Sequence, residues 1–438
     1  MDELMRSASE MIRAPLDLWL PASPGDYIEN PGYLKFDLMT RGIRVSETLL
    51  QDLHVHPVKD SARGVGSGID LLLPEDVWVN TPVREPFVAS SPYRLGRDDD
   101  GWRVVIDPPL DEFAGRWVSV GVGPKPRFLE KTLSTGRRTS AVVALQGELL
   151  ILDIGNREEY WNRRLSSRRG EGLDLSGAEA PSVAEALEIV AAAAEEGFGG
   201  DVYVNAGLSL EPDGGLRKVE PYVQALKRHF NPLVRLAASP PVEEAWVDHA
   251  YAIGVDSIAY DIEVFDPRTF REVAPGRAGQ IGRDRYLERL SRAAQVFPNG
   301  AVTSQLILGL EPLAESLKGI SALCELGVLP LLSVFRPLQG TGLEDWPTVE
   351  TISVAPVVAF LFHCARRHGI GMIWGRGISN EMTPLEARFF TTEDATAQVK
   401  RSKFYRSRAG AVVARNLAGL RRALRVRTVR DSFDSAGL

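Results

Sequence analysis

One loop of the chain combines side chains that could bind and react with a charged small molecule. It runs from Asn156 to Arg169 and contains guanidinium, aromatic and carboxylate groups: Arg157, Arg163 and Arg164; Tyr160 and Trp161; Glu158 and Glu159. A guanidinium binds a carboxylate through two parallel hydrogen bonds. An aromatic face attracts a cation, and a tyrosine or carboxylate can act as a base. The loop therefore holds candidates for binding and for proton transfer.

A second set of candidates lies where strand-like runs end. Glu263 closes the run 257–262, and a carboxylate can accept hydrogen bonds from both hydroxyls of a vicinal diol. Gly309 and Leu310 follow the run 301–308, where an apolar turn with a glycine could receive a flat base. Ligands of parallel α/β folds bind at the carboxyl ends of the strands. These positions therefore predict a ligand site at the ends of the strands.

Composition limits the classes of function. The chain has 438 residues, 44% of them hydrophobic, a formal charge of -7 and two cysteines, Cys324 and Cys364. Two cysteines exclude a disulfide scaffold and a cluster held by three thiolates of this chain. The negative charge argues against general nucleic-acid binding. No apolar stretch approaches membrane-spanning length and no signal-peptide core is present, so we expect a cytoplasmic protein without a membrane partner.

The strand-like runs alternate with helical patterns over the middle of the chain. The runs fall at 141–153, 201–206, 233–237, 257–262, 301–308 and 330–335. This alternation predicts parallel strands with right-handed crossovers, and six units suit a partial α/β barrel better than a closed eightfold one. We therefore expect an N-terminal accessory α+β segment at 1–137, a partial (β/α)6 barrel at 138–346 and a C-terminal helical extension at 347–438.

Three runs of residues resemble the radical S-adenosylmethionine superfamily, in the branch related to biotin synthase. They are Ile262 to Asp266, Val302 to Pro312 and Val334 to Leu338, and the similarity covers about residues 138–346. The resemblance implies S-adenosylmethionine as the ligand and assigns contacts to matching positions. Glu263 would hold the ribose, Gly309 and Leu310 the adenine. The turn with Asn205, Gly207 and Ser209 would meet the methionine amino group, and Arg336 would lie near the nucleoside.

The chain departs from this family after the first strand of the barrel. Relatives carry a Cys-x-x-x-Cys-x-x-Cys loop there, whereas the loop at 156–169 contains no cysteine. We therefore expect no iron–sulfur cluster. One of Arg157, Arg163 or Arg164 would anchor the ligand carboxylate instead, Tyr160 or Trp161 would lie against the sulfonium, and Tyr160, Glu158 or Glu159 would be the base. The expected function is polar, non-radical sulfonium chemistry, by methyl transfer or by intramolecular cleavage or cyclisation, in specialised metabolism.

Other interpretations stay open at this point. Glu263 could be a salt-bridged strand-end carboxylate, Gly309 a turn glycine, and Arg336 a brace for a helix C-terminus. The protein could be a non-catalytic partner of a related enzyme. His54 and His56 have the spacing of a metal-dependent hydrolase site, although no other histidine follows a strand end, so no metal is expected. As partners we expect a small-molecule substrate and a possible homodimer.

Overall fold

The computed structural model describes residues 18–21, 24–53, 68–107, 115–122, 126–155, 180–337, 343 and 345–435. Its strands are β1 Ile69–Leu73, β2 Val77–Thr81, β3 Tyr93–Asp98, β4 Gly101–Ile106, β5 Trp117–Val120, β6 Val143–Gln146, β7 Leu149–Asp153, β8 Asp201–Asn205, β9 Val234–Ala237, β10 Ser257–Ala259, β11 Val302–Leu308 and β12 Leu329–Val334. Its α-helices are α1 Pro31–Arg41, α2 Glu47–Asp52, α3 Val183–Glu195, α4 Leu216–His229, α5 Ala245–Ile253, α6 Pro267–Val273, α7 Pro275–Gln280, α8 Arg283–Val296, α9 Leu313–Glu325, α10 Thr351–Arg367, α11 Thr396–Arg406 and α12 Arg408–Ser435.

A curled seven-stranded sheet forms the centre of the molecule. Its strands are ordered β12-β11-β10-β9-β8-β7-β6, and the six from β7 to β12 pair in parallel. The prediction of a partial (β/α)6 barrel is confirmed. One detail was wrong, because the single run expected at 141–153 is two antiparallel strands, β6 and β7. The turn between them needs Gly147, whose φ is +56°.

Helices cover the outer face of this sheet because their apolar residues recur at helical spacing. In α4, Val219, Val223 and Leu226 are fully buried. Helix α3 begins with a capping box, in which the side chains of Ser182 and Glu185 each accept a hydrogen bond from the other residue's backbone N–H. Along each strand every second side chain points to the inner face of the curled sheet. These side chains line the central space of the barrel, which we call the lumen.

The described part of the N-terminal segment is mixed α and β. The hairpin β1-β2 and the three-stranded sheet β3-β4-β5 are both antiparallel. Helix α1 is buried along most of its length and packs against β2. Asn30 caps the start of this helix, because its side-chain oxygen accepts hydrogen bonds from the backbone N–H groups of Gly32 and Tyr33.

A short stretch, residues 377–382, spans the gap between the two edges of the sheet; we call it the closing strap. At one edge Met382 pairs with Leu332 of β12 in both directions, at 2.7 and 3.0 Å. At the other edge Asn380 donates to Gln146 of β6 at 2.9 Å. The strap thus bridges the two open edges of the half-barrel.

The N-terminal segment packs behind the closing strap. The backbone N–H of Asn80 in β2 donates to Ser379 at 2.9 Å, and Lys35 of α1 donates to Ile378 at 3.1 Å. Lys35 also pairs with Glu386 at 2.8 Å although its side chain is fully buried. The accessory segment is therefore part of the wall that completes the barrel.

The described residues after the barrel are mainly helical, in α10, α11 and α12. None of the helices in the described ranges is long and apolar enough to cross a membrane.

Candidate functional site

The lumen has a charged floor and a polar mouth. At the floor Arg235 of β9 and Arg376 both bind Asp201 of β8, with Arg235 at 2.8 Å and Arg376 at 3.0 Å. Register places Tyr203 of β8 one layer above Asp201, because inward-facing residues repeat every two positions. Asp153 follows on β7, at the carboxyl end where ligands of such barrels bind.

Glu263, the predicted ribose contact, lies at the mouth in an ion pair. Arg277 donates to its Oε2 at 2.6 Å and also to the carbonyl oxygen of Asp261. Burial raises the pKa of Glu263, and the Arg277 charge opposes this rise. Its φ of +65° is costly for a residue with a Cβ, and strain of this kind clusters at functional sites. Arg277 is thus the partner that the salt-bridge interpretation of Glu263 requires. Contact of Glu263 with a ligand stays a prediction.

Gly309 sits in a turn that only glycine fits. Its φ is +101°, and an added Cβ would lie 3.0 Å from Cγ1 of Val349 and 3.2 Å from Cβ of Phe335. Leu310, its neighbour, is buried. The turn interpretation explains the glycine without a ligand, so the predicted adenine contact of both residues is left untested.

The predicted turn after β8 is held by its own hydrogen bonds. Asn205 donates to Asp153 at 2.8 Å and accepts from the N–H of Gly207, whose φ is +67°. Ser209 donates through its N–H to Ser239 at 2.9 Å and accepts from Glu211. The turn is well ordered beside Asp153, and its role toward a methionine amino group stays a prediction.

Arg336 braces the N-terminal segment. It donates to the carbonyl oxygens of Met39 at 2.8 Å and of Asn80 at 3.0 Å. Met39 lies in the last turn of α1, where carbonyl groups lack helical partners, so a guanidinium stabilises the helix end. Burial lowers the pKa of Arg336 to about 10. This geometry matches the bracing interpretation that the sequence left open.

Several predicted residues lie outside the described ranges. They are the loop candidates Arg157, Glu158, Glu159, Tyr160, Trp161, Arg163 and Arg164, and the two histidines of the metal alternative, His54 and His56. Among the described residues no group of three or more His, Cys, Asp or Glu side chains could hold a metal ion.

Two carboxylates that the sequence analysis did not select dominate the electrostatics of the lumen. Asp261 accepts from the N–H of Gln305 at 2.9 Å. Burial, and then the charge of Glu263, raise the pKa of Asp261 to about 6. Burial, and then the charge of Asp261, raise the pKa of Glu381 to about 7. Asp261 thus disfavours ionisation of Glu381, and Glu263 disfavours ionisation of Asp261, as expected for like charges in a desolvated space.

Tyr203 and Ser333 complete the same polar surface. Burial, followed by the charges of Asp261 and Glu381, raises the pKa of Tyr203 well above its usual value. Ser333 is opposite Glu381 because Leu332 pairs with Met382 in antiparallel register. The Ser333 hydroxyl is buried and has no hydrogen-bond partner in the described protein. An unpaired buried hydroxyl is costly, so this position is suited to a ligand.

The sequence carried a signal for one of these acids only. Asp261 stands two residues before Glu263 at the end of a strand, a position where side chains face the mouth. Glu381 follows β12 by more than forty residues and belongs to no periodic pattern. Its place in the lumen depends on the closing strap, which is a tertiary contact.

Comparisons with known proteins identify distant relatives. No protein-family profile matches the chain. A stretch of 173 residues is 27% identical to bacteriochlorophyllide c C-7(1)-hydroxylase of Chlorobaculum limnaeum, covering 37% of this chain and 43% of that protein. The match therefore spans less than half of the relative's length. The predicted resemblance to the radical S-adenosylmethionine superfamily is confirmed at the level of the fold.

Solved structures with a related fold share little sequence with the chain. Methylornithine synthase is 14% identical, with a TM-score of 0.38 over 48% of this chain and 60% of that one. A radical SAM methyltransferase from Sphaerobacter thermophilus is 13% identical, with a TM-score of 0.37 over 64% and 76%. The maturase HydG of Carboxydothermus hydrogenoformans is 16% identical, with a TM-score of 0.38 over 53% and 57%. Similarity at this level assigns no activity.

The expectation of polar, non-radical sulfonium chemistry was wrong. The curated relative is named a hydroxylase, and none of the proteins reported above is described as carrying out polar, non-radical sulfonium chemistry. That expectation rested on the missing cysteine loop alone, and a missing motif does not specify a replacement reaction.

The thiols of this chain do not fit the cluster that the family uses. Cys324 and Cys364 are both buried, on α9 and α10, and the Cys364 sulfur lies 3.9 Å from the carbonyl oxygen of Ile320. Burial raises the pKa of Cys324 well above its usual value, which disfavours the thiolate that binds iron. No third cysteine exists in the sequence. We therefore assign no step to a cluster held by this chain.

Proposed function

We propose, from its membership of the radical S-adenosylmethionine fold, that the protein binds a positively charged small molecule in the lumen. S-adenosylmethionine is the first candidate ligand, because the relatives of the chain use it. It carries a sulfonium and an ammonium group, so its net charge is positive at neutral pH. The proposal concerns binding and assigns no reaction to the bound molecule.

One observation carries this proposal: Asp261 and Glu381 have raised pKa values that the nearby charges of Arg277, Lys35 and Arg336 offset only in part. Within the described residues neither Asp261 nor Glu381 forms an ion pair, whereas Glu263 pairs with Arg277. Leaving a desolvated carboxylate unpaired is unfavourable, and a raised pKa is the usual response. A cationic ligand would compensate both charges, and both residues are only partly buried.

The polar neighbours suit a ligand that also donates hydrogen bonds. Tyr203 and Ser333 offer hydroxyl groups to the same space, and the Ser333 hydroxyl has no partner in the described protein. An ammonium group has three donors and prefers carboxylate and hydroxyl oxygens. The predicted contacts of Glu263 and Gly309 at the mouth are compatible with a nucleoside above this acidic layer.

Calorimetric titration at pH 7.5 tests the proposal with S-adenosylmethionine and S-adenosylhomocysteine, which lacks the sulfonium charge. We expect S-adenosylmethionine to bind about tenfold more tightly, a difference of ~1.4 kcal/mol. The variants Asp261→Asn and Glu381→Gln should remove this preference, because they remove the compensating charge.

Asp284→Asn and Glu288→Gln are matched controls, since both carboxylates are exposed on α8. These controls should keep the wild-type preference. Absence of binding heat and of any thermal shift with S-adenosylmethionine would refute the proposal. Equal affinity for the two ligands would show that charge is not what the lumen recognises.

A further inference from the structure

The C-terminal helices carry a charge opposite to that of the remaining chain. Between Lys400 and Arg430 there are 11 Lys and Arg and no Asp or Glu. Removing those 11 from the total of 51 leaves 40 basic residues against 58 acidic ones, so the rest of the chain has a formal charge of -18. A basic segment this concentrated creates a local positive field despite the acidic average.

An apolar stripe runs along the same helical region. Val413, Leu420 and Leu424 lie at i, i+7 and i+11 of α12, which places them on one helix face. Their exposed fractions are 39%, 57% and 73%. Five of the ten large hydrophobic residues that are exposed in the described protein fall between Phe404 and Leu424. Exposed apolar groups concentrated in this way indicate a contact surface.

A different face of α12 attaches the helix to the barrel. Ala414, Ala418 and Arg422 recur every four residues and are partly buried, unlike the stripe. Arg422 donates to the carbonyl oxygen of Tyr251 at 3.0 Å and forms an ion pair with Asp256. These three residues attach one side of the helix to the barrel, so the apolar stripe on the other side is exposed to solvent.

We propose that α12, together with the basic end of α11, is a docking surface for an anionic phospholipid membrane. An apolar stripe on one face of a helix whose other faces are rich in arginine is a feature of helices that lie in the membrane interface. Each basic residue near an anionic surface contributes about 1 kcal/mol, whereas the acidic body is repelled from it. The opposite charges of helix and body thus orient the protein with α12 toward the lipid.

This inference is independent of the lumen and departs from the expectation of no membrane partner. Docking on a surface needs no membrane-spanning helix. A nucleic acid is the less suitable partner, because its phosphates would use the arginines but leave Leu420 and Leu424 in water. An acidic groove on another protein would use both features and is a distinct outcome of the test.

Co-sedimentation of the full chain with phospholipid vesicles tests the proposal. Vesicles that mix phosphatidylglycerol with phosphatidylcholine should retain the protein at low salt, and pure phosphatidylcholine should not. The paired variant Leu420→Ser/Leu424→Ser should bind at least about tenfold more weakly, because it removes the apolar contacts. Arg401→Glu/Arg415→Glu should weaken binding and reduce its dependence on salt.

Two control pairs match these variants in type and exposure. Leu210→Ser/Ile352→Ser removes exposed apolar residues elsewhere, and Arg228→Glu/Arg271→Glu reverses exposed charges on α4 and α6. Both should bind anionic vesicles as the wild type does.

Three results would overturn the proposal. The first is no binding to anionic vesicles, and the second is equal binding to neutral ones. The third is a Leu420→Ser/Leu424→Ser variant that binds at full strength. Retention by immobilised polyglutamate without any vesicle binding would assign the surface to an acidic protein partner instead.

Discussion

At the residue scale, the lumen shows how burial changes the ionisation of a carboxylate. Glu263, a candidate from the sequence, forms an ion pair with Arg277, whereas among the described residues neither Asp261 nor Glu381 forms one. Asp261 was visible in the sequence as a strand-end acid. The importance of Glu381 was not predictable, because it depends on desolvation and on a neighbour far away in the chain.

The raised pKa values predict a specific pH dependence of stability. The pKa is about 6 for Asp261 and about 7 for Glu381, above their values in an unfolded chain. The folded state therefore holds protons that the unfolded state has already lost, and this stabilisation disappears as pH rises through 6 to 7. We expect the melting temperature of the ligand-free protein to fall between pH 5.5 and pH 8.

The double variant Asp261→Asn/Glu381→Gln isolates this contribution. Its change in unfolding free energy over the same pH range should be smaller than that of the wild type by on the order of 2 kcal/mol. Asp284→Asn/Glu288→Gln, on the exposed face of α8, should follow the wild-type profile. Identical profiles for all three proteins would show that the lumen acids do not titrate in this range.

At the element scale, the strands and helices of the barrel were predictable and the closing strap was not. Alternating strand and helix periods located β8 to β12 within a few residues, because each element buries a regular face. The strap has no period, and its backbone is satisfied by β12, β6 and the N-terminal segment. The hairpin β6-β7 was also missed, since its apolar residues continue through both strands.

Gly377 is the position where the closing strap should tolerate change least. Its φ is +71°, and an added Cβ would lie 2.5 Å from Cβ of Glu148. We expect Gly377→Ala to cost about 2–4 kcal/mol in urea denaturation, from a left-handed backbone and from steric overlap. The variant should also weaken ligand binding, because Glu381 follows in the same strap.

Gly369→Ala separates these two causes. Gly369 has a similar φ of +64°, but no atom lies within 4 Å of an added Cβ. This control should cost about 1–2 kcal/mol, the backbone contribution alone. A loss in Gly377→Ala no larger than that of the control would mean that the contact with Glu148 is not tight.

At the scale of the whole molecule, Arg336 joins the N-terminal segment to the barrel. Its hydrogen bonds to Met39 and Asn80 make this residue a brace, and the nearby nucleoside that the resemblance implies stays a prediction. The sequence divides the chain into three segments, but it carries no local sign that the first segment packs against the sixth barrel strand. That contact depends on pairs of residues more than 250 positions apart.

Arg336→Met should therefore uncouple the segment from the barrel. We expect a loss of about 2–4 kcal/mol in unfolding free energy, because two buried carbonyl groups lose a charged donor. Hydrogen exchange should accelerate in α1 and β2 more than in β8. Arg228→Met, at an exposed position on α4, should leave exchange unchanged, and a uniform acceleration across the molecule would argue against a local brace.

The closing strap also has a consequence for how the protein is made. Met382 covers the free edge of the last barrel strand, and it is synthesised 48 residues after that strand ends at Val334. In that interval β12 presents unpaired backbone groups that can recruit another nascent chain. Polypeptides truncated before the strap should for this reason be prone to aggregate, whereas those that include it should stay dispersed.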